Sequence, residues 1–469
     1  DRAPADPRNP PGGRPPGACF LPRLLPGRWA MEVLRTDVAI IGGGLGACAA
    51  ALAAARLGRH VVLTEETHWV GGQLTNQSVP PDEHPWIEEF GATASYRRLR
   101  NKIREYYRAH LPLSAEARAN PRLNPGNGWV SKLCHDPRVA VAALHEMFMP
   151  YQMNGRLFVM HPHRPLAAWT HGDRITGVVV RGLESGRDTL IEAEYFIDAT
   201  PYGDLLALAN VEHVVGAESR GETGEPHAAE RADPFDQQAI TVCFAMEYRL
   251  GEDYTIDKPR QYDLWREYQP RGWPGPLLSW TTIEPESGQV ITRHLFEAED
   301  GKPWWEFRRI LDPANFATGY TCCGITVVNS PQNDYWFGPV VGVDPAEEAR
   351  NIRRRGSSAS VYSTGCRRRR RGRTGVSATR GSACAVMWWA ARQTASRRCR
   401  TSASPAASRR SSPSSSNTSP TRCDPTDPSS SKTPWASAAT ERRGLPRPRV
   451  LALPDPARRD DPRTRREPA

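Results

Sequence analysis

Near its amino terminus the chain alternates short apolar runs with glycine-rich and alanine-rich segments. Residues Asp37–Ile41 form an apolar run of strand length, as is typical of a parallel strand buried on both faces. The run passes into the glycine-rich segment Gly42–Ala47, and an alanine-rich segment with helical spacing covers Leu45–Leu57. A second apolar run, His60–Thr64, ends at Glu65. The order strand, glycine turn, helix, strand and acid predicts a βαβ unit.

The glycine turn has the spacing of a dinucleotide-binding fingerprint. Gly42 permits the tight turn, Gly44 lets the backbone approach a pyrophosphate, and the small Ala47 lets helix and strand pack closely. The helix N-terminus favours phosphate, and Glu65 can accept hydrogen bonds from the adenosine ribose. A glycine-rich turn without a ligand is the alternative interpretation. The predicted dinucleotide-binding residues of this unit are Gly42, Gly43, Gly44, Leu45, Gly46, Ala47 and Glu65.

The middle of the chain continues the alternation of helices and strands. Asp136 and Pro137 are a favourable N-cap and first residue for an amphipathic helix. Strand-like runs follow at Leu157–Met160, Ile175–Val180 and Leu190–Ala193. We interpret the first run as the third parallel strand and the other two as a small β-meander.

A glycine pair and a distant strand indicate the kind of dinucleotide. The pair opens the segment Gly71–Gln77, and the strand Glu194–Thr200 ends in Asp-Ala-Thr. With the glycine turn, these motifs resemble the bacterial FAD-dependent oxidoreductases of the glutathione-reductase-like fold. The resemblance runs from residue 37 to about residue 334, and it includes Leu133–Val141 and Asn329–Tyr335.

The resemblance implies a cofactor, FAD, and roles for particular residues. Gly71 and Gly72 would pack against the pyrophosphate with Gln73 near the flavin, and the strand end would lie beside the adenosine half. The additional cofactor-binding residues that it implies are Gly71, Gly72, Gln73, Asp198, Ala199 and Thr200. Pro201 and Tyr202 depart from the family's usual glycine-rich continuation, which leaves the role of Asp204 open.

Three other features are candidates for the flavin's neighbourhood, and no catalytic acid or base is assigned. They are Gln73, Asn76 and the adjacent pair Cys134-His135. The cysteine and histidine could form a reactive pair, or they could be a small buried apolar residue beside a capping histidine. No CxxC pair occurs in the sequence, so we predict no metal site.

These patterns predict an α/β fold of the FAD/NAD(P)-binding Rossmann-like type, with three layers and a parallel sheet carrying a β-meander. We expect an FAD-binding domain over residues 31–204 and a mixed α+β substrate domain over residues 205–353. The second domain is rich in tryptophan, which can pack a core or line a pocket against the flavin. We expect residues 1–30 to be disordered and to lie outside the native coding sequence.

Charge is distributed unevenly among the 469 residues. The whole chain carries a formal charge of +10, whereas residues 356–469 alone hold 23 Arg and 1 Lys against 7 acidic residues. The central segment is therefore acidic, and this distribution excludes a nucleic-acid binder that uses the whole protein. The five consecutive arginines Arg367–Arg371 would bind polyanions without specificity.

The low-complexity Arg/Ser/Pro tail, residues 354–469, contains no Ile and no Phe after residue 356. GC-rich DNA translated out of frame gives such a composition. In displaced frames, synonymous codons for Thr394–Ser408, Thr433–Thr440 and Leu453–Pro462 can encode strings that resemble the family's C-terminal half. Our hypothesis is a frameshift near residues 353–356 and another between residues 440 and 451, which would leave this chain truncated or inactive. Resequencing the gene tests it.

The function predicted from sequence is an FAD-dependent oxidoreductase that takes a hydride from an unidentified small organic substrate. The alternatives are an NAD(P)-dependent dehydrogenase and non-enzymatic nucleic-acid binding through the basic tail. No apolar run approaches the ~18 residues of a membrane span and no export signal is present, so we expect a cytoplasmic protein. The sequence identifies no electron acceptor, specific nucleic acid or oligomeric state.

Overall fold

A computed structural model describes residues 31–250, 258–284, 287–321, 323–354 and 382–387. The segment 1–30, the arginine run 367–371 and most of the predicted tail lie outside these residues. Three expectations therefore stay predictions: the disorder of residues 1–30, the frameshifts, and nucleic-acid binding by the tail.

Six strands form the central sheet in the order β3-β2-β1-β6-β5-β4. Strands β3, β2, β1 and β6 run parallel to one another, whereas β5 pairs antiparallel with both β6 and β4. This arrangement confirms the predicted α/β class with a parallel sheet and a meander. The strands are β1 (Glu32–Ile41), β2 (Val61–Thr64), β3 (Leu157–Met160), β4 (His163–His171), β5 (Arg174–Gly182) and β6 (Asp188–Asp198).

The meander differs from the sequence prediction in two places. Strand β6 is continuous, so the predicted meander strand Leu190–Ala193 and the predicted strand Glu194–Thr200 are one element. Strand β4 was not predicted, because Pro165 interrupts its pattern and the pairing with β5 shifts register between Pro165 and Ala167. The structure places β4 at the edge of the sheet, where a proline without a ladder hydrogen bond is tolerated.

The two faces of the sheet belong to separate apolar cores, which gives the three layers. Val38 and Ile40 point into a core shared with the helices, whereas Ala39 and Ile41 pack with Val178 of the meander. Both faces are buried, as the continuous apolar run of β1 predicts. The helices of the first region are α1 (Leu45–Arg56), α2 (Ala94–His110), α3 (Ala115–Ala119) and α4 (Pro137–Met153).

The two longest of the helices given above, α2 and α4, each begin after a residue whose side chain caps the helix. Asp136 caps α4 by accepting a hydrogen bond from the Arg138 amide at 2.9 Å, with Pro137 in the first helical position. Thr93 caps α2 through the Tyr96 amide. Within the described part of the chain, no helix is both long and apolar enough to span a bilayer.

A second region follows the sheet and contains a core of its own. Its four-stranded sheet has the order β11-β12-β8-β14, and Trp265, Trp304 and Trp305 are buried in its core. These three tryptophans therefore pack a core, as one of the two sequence interpretations proposed. The helices are α5 (Asp204–Leu208), α6 (Arg220–Thr223), α7 (Tyr262–Glu267) and α8 (Trp304–Phe307), and residues 345–354 are also helical. The strands are β7 (Ile240–Thr241), β8 (Phe244–Leu250), β9 (Thr281–Ile283), β10 (Val290–Thr292), β11 (Arg309–Leu311), β12 (Ile325–Val328), β13 (Asp334–Tyr335) and β14 (Ser382–Met387).

Strand β14 lies within the tail for which the sequence predicts no regular structure. Its six residues pair antiparallel with β8, from Ser382 opposite Leu250 to Met387 opposite Ala245. The segment Ser382–Met387 contains only small and apolar residues and no arginine, unlike the sequence around it. The domain boundaries at residues 204 and 353 stay predictions.

Buried ion pairs hold the segment between the glycine pair and α2. Arg100 contacts the carboxylates of Glu83 and Glu88, and Arg104 contacts Glu88 at 2.6 Å. All four side chains are buried, with two positive and two negative charges. Ser131 donates a further hydrogen bond to Glu83. Residues 83–88 are thereby fixed against α2 and the loop before α4.

Candidate cofactor-binding site

The turn between β1 and α1 passes directly against the end of β6. Gly42 has a φ of +100°, and a Cβ atom built there would lie 2.2 Å from the carbonyl oxygen of Ala199. The Gly42 amide donates a hydrogen bond to the Thr64 hydroxyl at 3.1 Å. Only glycine fits this position, because both the backbone angle and the close approach exclude a side chain.

Substituting Gly42 tests this close approach. We expect Gly42→Ala to lower the free energy of unfolding by at least about 2 kcal/mol, because a positive φ and a backbone clash both strain the folded state. Gly46→Ala is the matched control, since its Cβ would meet nothing within 4 Å and alanine favours the helix. Urea unfolding of both variants measures the difference, and equal stability of the two would contradict the geometry.

The N-terminus of α1 presents free backbone donors to open space. Gly44 is the N-cap residue and provides no side-chain cap, and the first backbone hydrogen bond of the helix runs from the Cys48 amide to the Gly44 oxygen. The amides of Leu45, Gly46 and Ala47 therefore have no intrahelical acceptor. Cβ atoms built on Gly44 and Gly46 would meet no atom within 4 Å. This opening fits a diphosphate, whose oxygens accept hydrogen bonds from such amides.

Glu65 lies beside this turn at the end of β2. A Cβ atom built on Gly43 would lie 2.5 Å from Glu65 Oε2, so the glycine lets the carboxylate approach the turn. The residue is only 6% exposed, and its Oε1 accepts a hydrogen bond from the Thr67 amide at 2.7 Å. Burial raises the pKa of Glu65 above its usual range, although the hydrogen bonds from Thr67 oppose this shift.

The raised pKa of Glu65 gives a prediction with a defined sign. The folded chain binds this proton more tightly than the unfolded chain, so the free energy of unfolding falls as pH rises from 4.5 through the raised pKa. We expect Glu65→Gln to remove this fall and to be more stable than the parent at neutral pH. Urea unfolding between pH 4 and pH 8 checks it, and a variant less stable than the parent at neutral pH would contradict the assignment.

The glycine pair packs on the glycine turn. Gly71 and Gly72 both have positive φ, at +108° and +53°. The Gly71 amide donates to the Gly43 oxygen at 2.8 Å, and a Cβ atom built on Gly72 would lie 3.0 Å from the Gly44 Cα. Thr75 and Leu144 of α4 enclose Gly71 on its other side. The structure therefore brings the two predicted glycine segments into one site.

Two polar side chains that follow the glycine pair, Gln73 and Asn76, are each held by a hydrogen bond. Gln73 is exposed and its Nε2 donates to Asp82 Oδ2 at 2.9 Å. Asn76 Nδ2 donates to the Thr67 hydroxyl at 3.2 Å, which connects it to the loop that also binds Glu65. Gln73 thus directly follows Gly72 beside the proposed diphosphate position. Asn76 instead binds Thr67, the residue whose amide holds the Glu65 carboxylate.

The Asp-Ala-Thr segment ends β6 beside β1, but its carboxylate is used locally. Asp198 Oδ1 accepts from the amide and hydroxyl of Thr200, and Oδ2 accepts from the amides of Leu205 and Leu206 in α5. The Ala199 amide donates to the Ile41 oxygen. Asp198 and Thr200 therefore shape the turn that faces Gly42.

The pair Cys134-His135 is buried, and its environment is that of a packed interior. Burial raises the pKa of the Cys134 thiol to about 12 and lowers the pKa of His135 to about 4, so both are neutral near pH 7. The N-cap of α4 is Asp136, not the histidine. This environment supports the packing interpretation rather than a reactive thiolate.

Sequence reasoning missed several residues that build the site. Thr64, immediately before Glu65, accepts the Gly42 amide, and Thr67 holds the Glu65 carboxylate. A hydroxyl at the end of a strand beside the acid is a signal that could have been used for Thr64. Asp82 and Arg308 form an ion pair at 2.9 Å across 226 positions, which no local pattern reveals.

The geometry is that of an α/β fold whose glycine turn suits a dinucleotide, and comparison with known proteins identifies the family. The family described as FAD dependent oxidoreductase matches residues 37–382, so the chain belongs to the FAD-dependent oxidoreductases. FAD is the cofactor of this family, and the match ends beyond residue 353, where the sequence predicts the second domain to end. No curated protein sequence matches the chain.

Several solved structures are similar over part of their length. L-proline dehydrogenase from P. horikoshii is 18% identical over 37% of this chain and 24% of its own, with a TM-score of 0.21. A geranylgeranyl bacteriochlorophyll reductase-like protein from Thermoplasma acidophilum is 15% identical over 48% of this chain and 49% of its own (TM-score 0.26). The flavin-dependent monooxygenase PieE is 15% identical over 71% of this chain and 47% of its own (TM-score 0.27). The chain thus spans less than half the length of each, and these likenesses do not transfer the activities of those proteins to it.

Proposed function

We propose that the glycine turn binds FAD and that the enzyme, read without the hypothesised frameshifts, oxidises a small organic substrate by hydride transfer. One observation supports this most strongly: among the glycines of the two turns, only Gly44 and Gly46 face open space, and they flank the uncapped amides of α1. Gly42, Gly43, Gly71 and Gly72 instead approach other protein atoms closely.

The residues of the chain would bind and orient the cofactor. The amides of Leu45, Gly46 and Ala47 donate to the diphosphate, and the positive end of the α1 dipole adds to the attraction. Glu65 accepts hydrogen bonds from the adenosine ribose, since its carboxylate adjoins Gly43. Gly72 packs against Gly44 beside the diphosphate position, and Gln73, which follows it, would lie near the flavin half. FAD supplies the hydride acceptor, and the chain supplies orientation.

The test distinguishes a flavoenzyme from a nicotinamide dehydrogenase. The purified full chain and, where resequencing finds the frameshifts, the frame-corrected chain are titrated with FAD and with NAD⁺, and the loaded protein is mixed anaerobically with a panel of hydroxy acids, amino acids and alcohols. We expect binding of FAD rather than NAD⁺, and loss of visible flavin absorbance with one substrate class. Binding of NAD⁺ alone, with its reduction by a substrate, would overturn the proposal in favour of the alternative.

A further inference from the structure

Beside the proposed cofactor site, three polar side chains form a network between distant parts of the chain. Gln73 Nε2 donates to Asp82 Oδ2 at 2.9 Å, and Arg308 Nη1 donates to Asp82 Oδ1 at 2.9 Å. Both oxygens of the Asp82 carboxylate are thereby held. Gln73 adjoins the glycine pair, whereas Arg308 lies between α8 and β11 of the second region.

The guanidinium of Arg308 is buried and rigidly held. Its side chain is 10% exposed, its Nε donates to the Asn329 oxygen at 3.1 Å, and it lies 4.7 Å from the centre of the Phe307 ring. An arginine stays charged at all accessible pH values. The contacts of Arg308 therefore fix a permanent cation in one orientation at low solvent exposure.

This cation retains hydrogen-bonding capacity. Among the described residues, nothing accepts a hydrogen bond from Arg308 Nη2, and the single carboxylate paired with the residue is Asp82, whose side chain is 53% exposed. The neighbouring Arg309 is different, because it pairs with Glu306 and Asp312 and also donates to the Gly126 oxygen. Nη2 is not buried without a partner but still reaches solvent at the edge of this largely buried guanidinium, where it can donate to an additional oxyanion.

The position of the network relates this cation to the cofactor. Gln73 follows Gly72 in the sequence. A Cβ atom built on Gly72 would lie 3.0 Å from the Gly44 Cα, which borders the proposed diphosphate position. Two hydrogen bonds separate Gln73 from Arg308. A molecule bound to Arg308 would thus lie two hydrogen bonds from Gln73, the residue that the family resemblance implies lies near the flavin.

We propose that Arg308 binds the carboxylate of the substrate, and that the substrate is a small organic acid. Asp82 and Gln73 act as positioning residues that orient the guanidinium, and the Phe307 ring supports its face. A planar carboxylate fits the geometry of the guanidinium donors better than a spherical anion does. This inference rests on the proposed function only for the identity of the ligand as substrate.

Calorimetric titration of the full chain with benzoate, with and without added FAD, tests the assignment. We expect saturable binding that Arg308→Met weakens about a hundredfold and Arg308→Lys about tenfold, since lysine keeps the charge but loses the planar donor set. Arg309→Lys is the matched control and should leave the affinity unchanged. Circular dichroism and the thermal midpoint establish that each variant is folded.

The competition and variant measurements distinguish failure of the Arg308 assignment from failure of FAD binding. Inorganic phosphate and chloride at equal ionic strength should compete weakly, and equal competition by chloride would overturn the assignment in favour of a nonspecific cation. Benzoate that does not bind the parent, or that binds folded Arg308→Met and Arg308→Lys as tightly as the parent, would also overturn it. Because benzoate is titrated with and without FAD, failure to bind FAD contradicts the proposed function alone. The benzoate result decides the role of Arg308.

Discussion

Gly44→Asp is expected to weaken FAD binding at least about tenfold while leaving the folded chain slightly more stable. Asp is among the best N-cap residues, so its carboxylate should accept hydrogen bonds from the free amides of α1 and add a few tenths to about 1 kcal/mol of stability. The same carboxylate would occupy the diphosphate position and repel its charge. Loss of one charge-assisted hydrogen bond costs about 1.5–3 kcal/mol, a factor of about 10 to 150, and charge repulsion adds to it, so we expect at least about tenfold weaker binding.

Gly44→Asn is the matched control for this substitution. It caps the helix with a side chain of similar size but without the negative charge, so its effect on FAD binding should be smaller than that of Asp. Gly44 has a φ of −61°, which both residues adopt without strain. Thermal unfolding and an FAD titration of the three proteins measure the two effects. An Asp variant that binds FAD within about threefold of the parent would show that the diphosphate lies elsewhere.

Arg100→Met is expected to be the most destabilising single substitution on α2. It would leave Glu83 and Glu88 buried with one cation fewer, and breaking a buried ion pair costs about 3–5 kcal/mol. Urea unfolding measures the loss of stability. We also expect Arg100→Met to reduce FAD binding, because residues 83–88 directly follow Asp82, which binds Gln73.

Lys102→Met provides the control on the same helix. Lys102 pairs with Glu146, whose side chain is 63% exposed, and exposed pairs contribute about 0–1 kcal/mol. The two substitutions remove one cation each and differ mainly in burial. A loss below about 1 kcal/mol for Arg100→Met would mean that the buried carboxylates find other partners or become protonated.

The nucleotide-binding end of the fold could be predicted because its signals are local. β1, the glycine turn, α1 and β2 follow one another within 33 positions from Glu32 to Thr64, and each has a composition that permits few other conformations. Gly71 and Gly72 were implied by the resemblance to the family, and their positive φ angles and close approach to the glycine turn are what the structure adds. The structure shows that the glycine turn and the glycine pair are in contact.

Long-range pairing explains most of what the sequence did not reveal. The Asp82–Arg308 pair joins positions 226 apart, and the Glu88–Arg104 pair holds a loop on a helix that was not predicted. Helix α2 had an available signal, since Leu99, Ile103 and Tyr107 lie on one face. The extent of β6 depended on its pairing with both β1 and β5, which no pattern within the strand specifies.

We expect the uncapped N-terminus of α1 to bind the diphosphate of FAD. The most direct measurement is an equilibrium titration of the purified full chain with FAD, followed by flavin fluorescence and by the thermal midpoint. We expect saturation at one FAD per chain with a rise in the thermal midpoint, because the ligand binds the folded state. A folded chain that shows neither saturable binding nor a shift in the midpoint would contradict it.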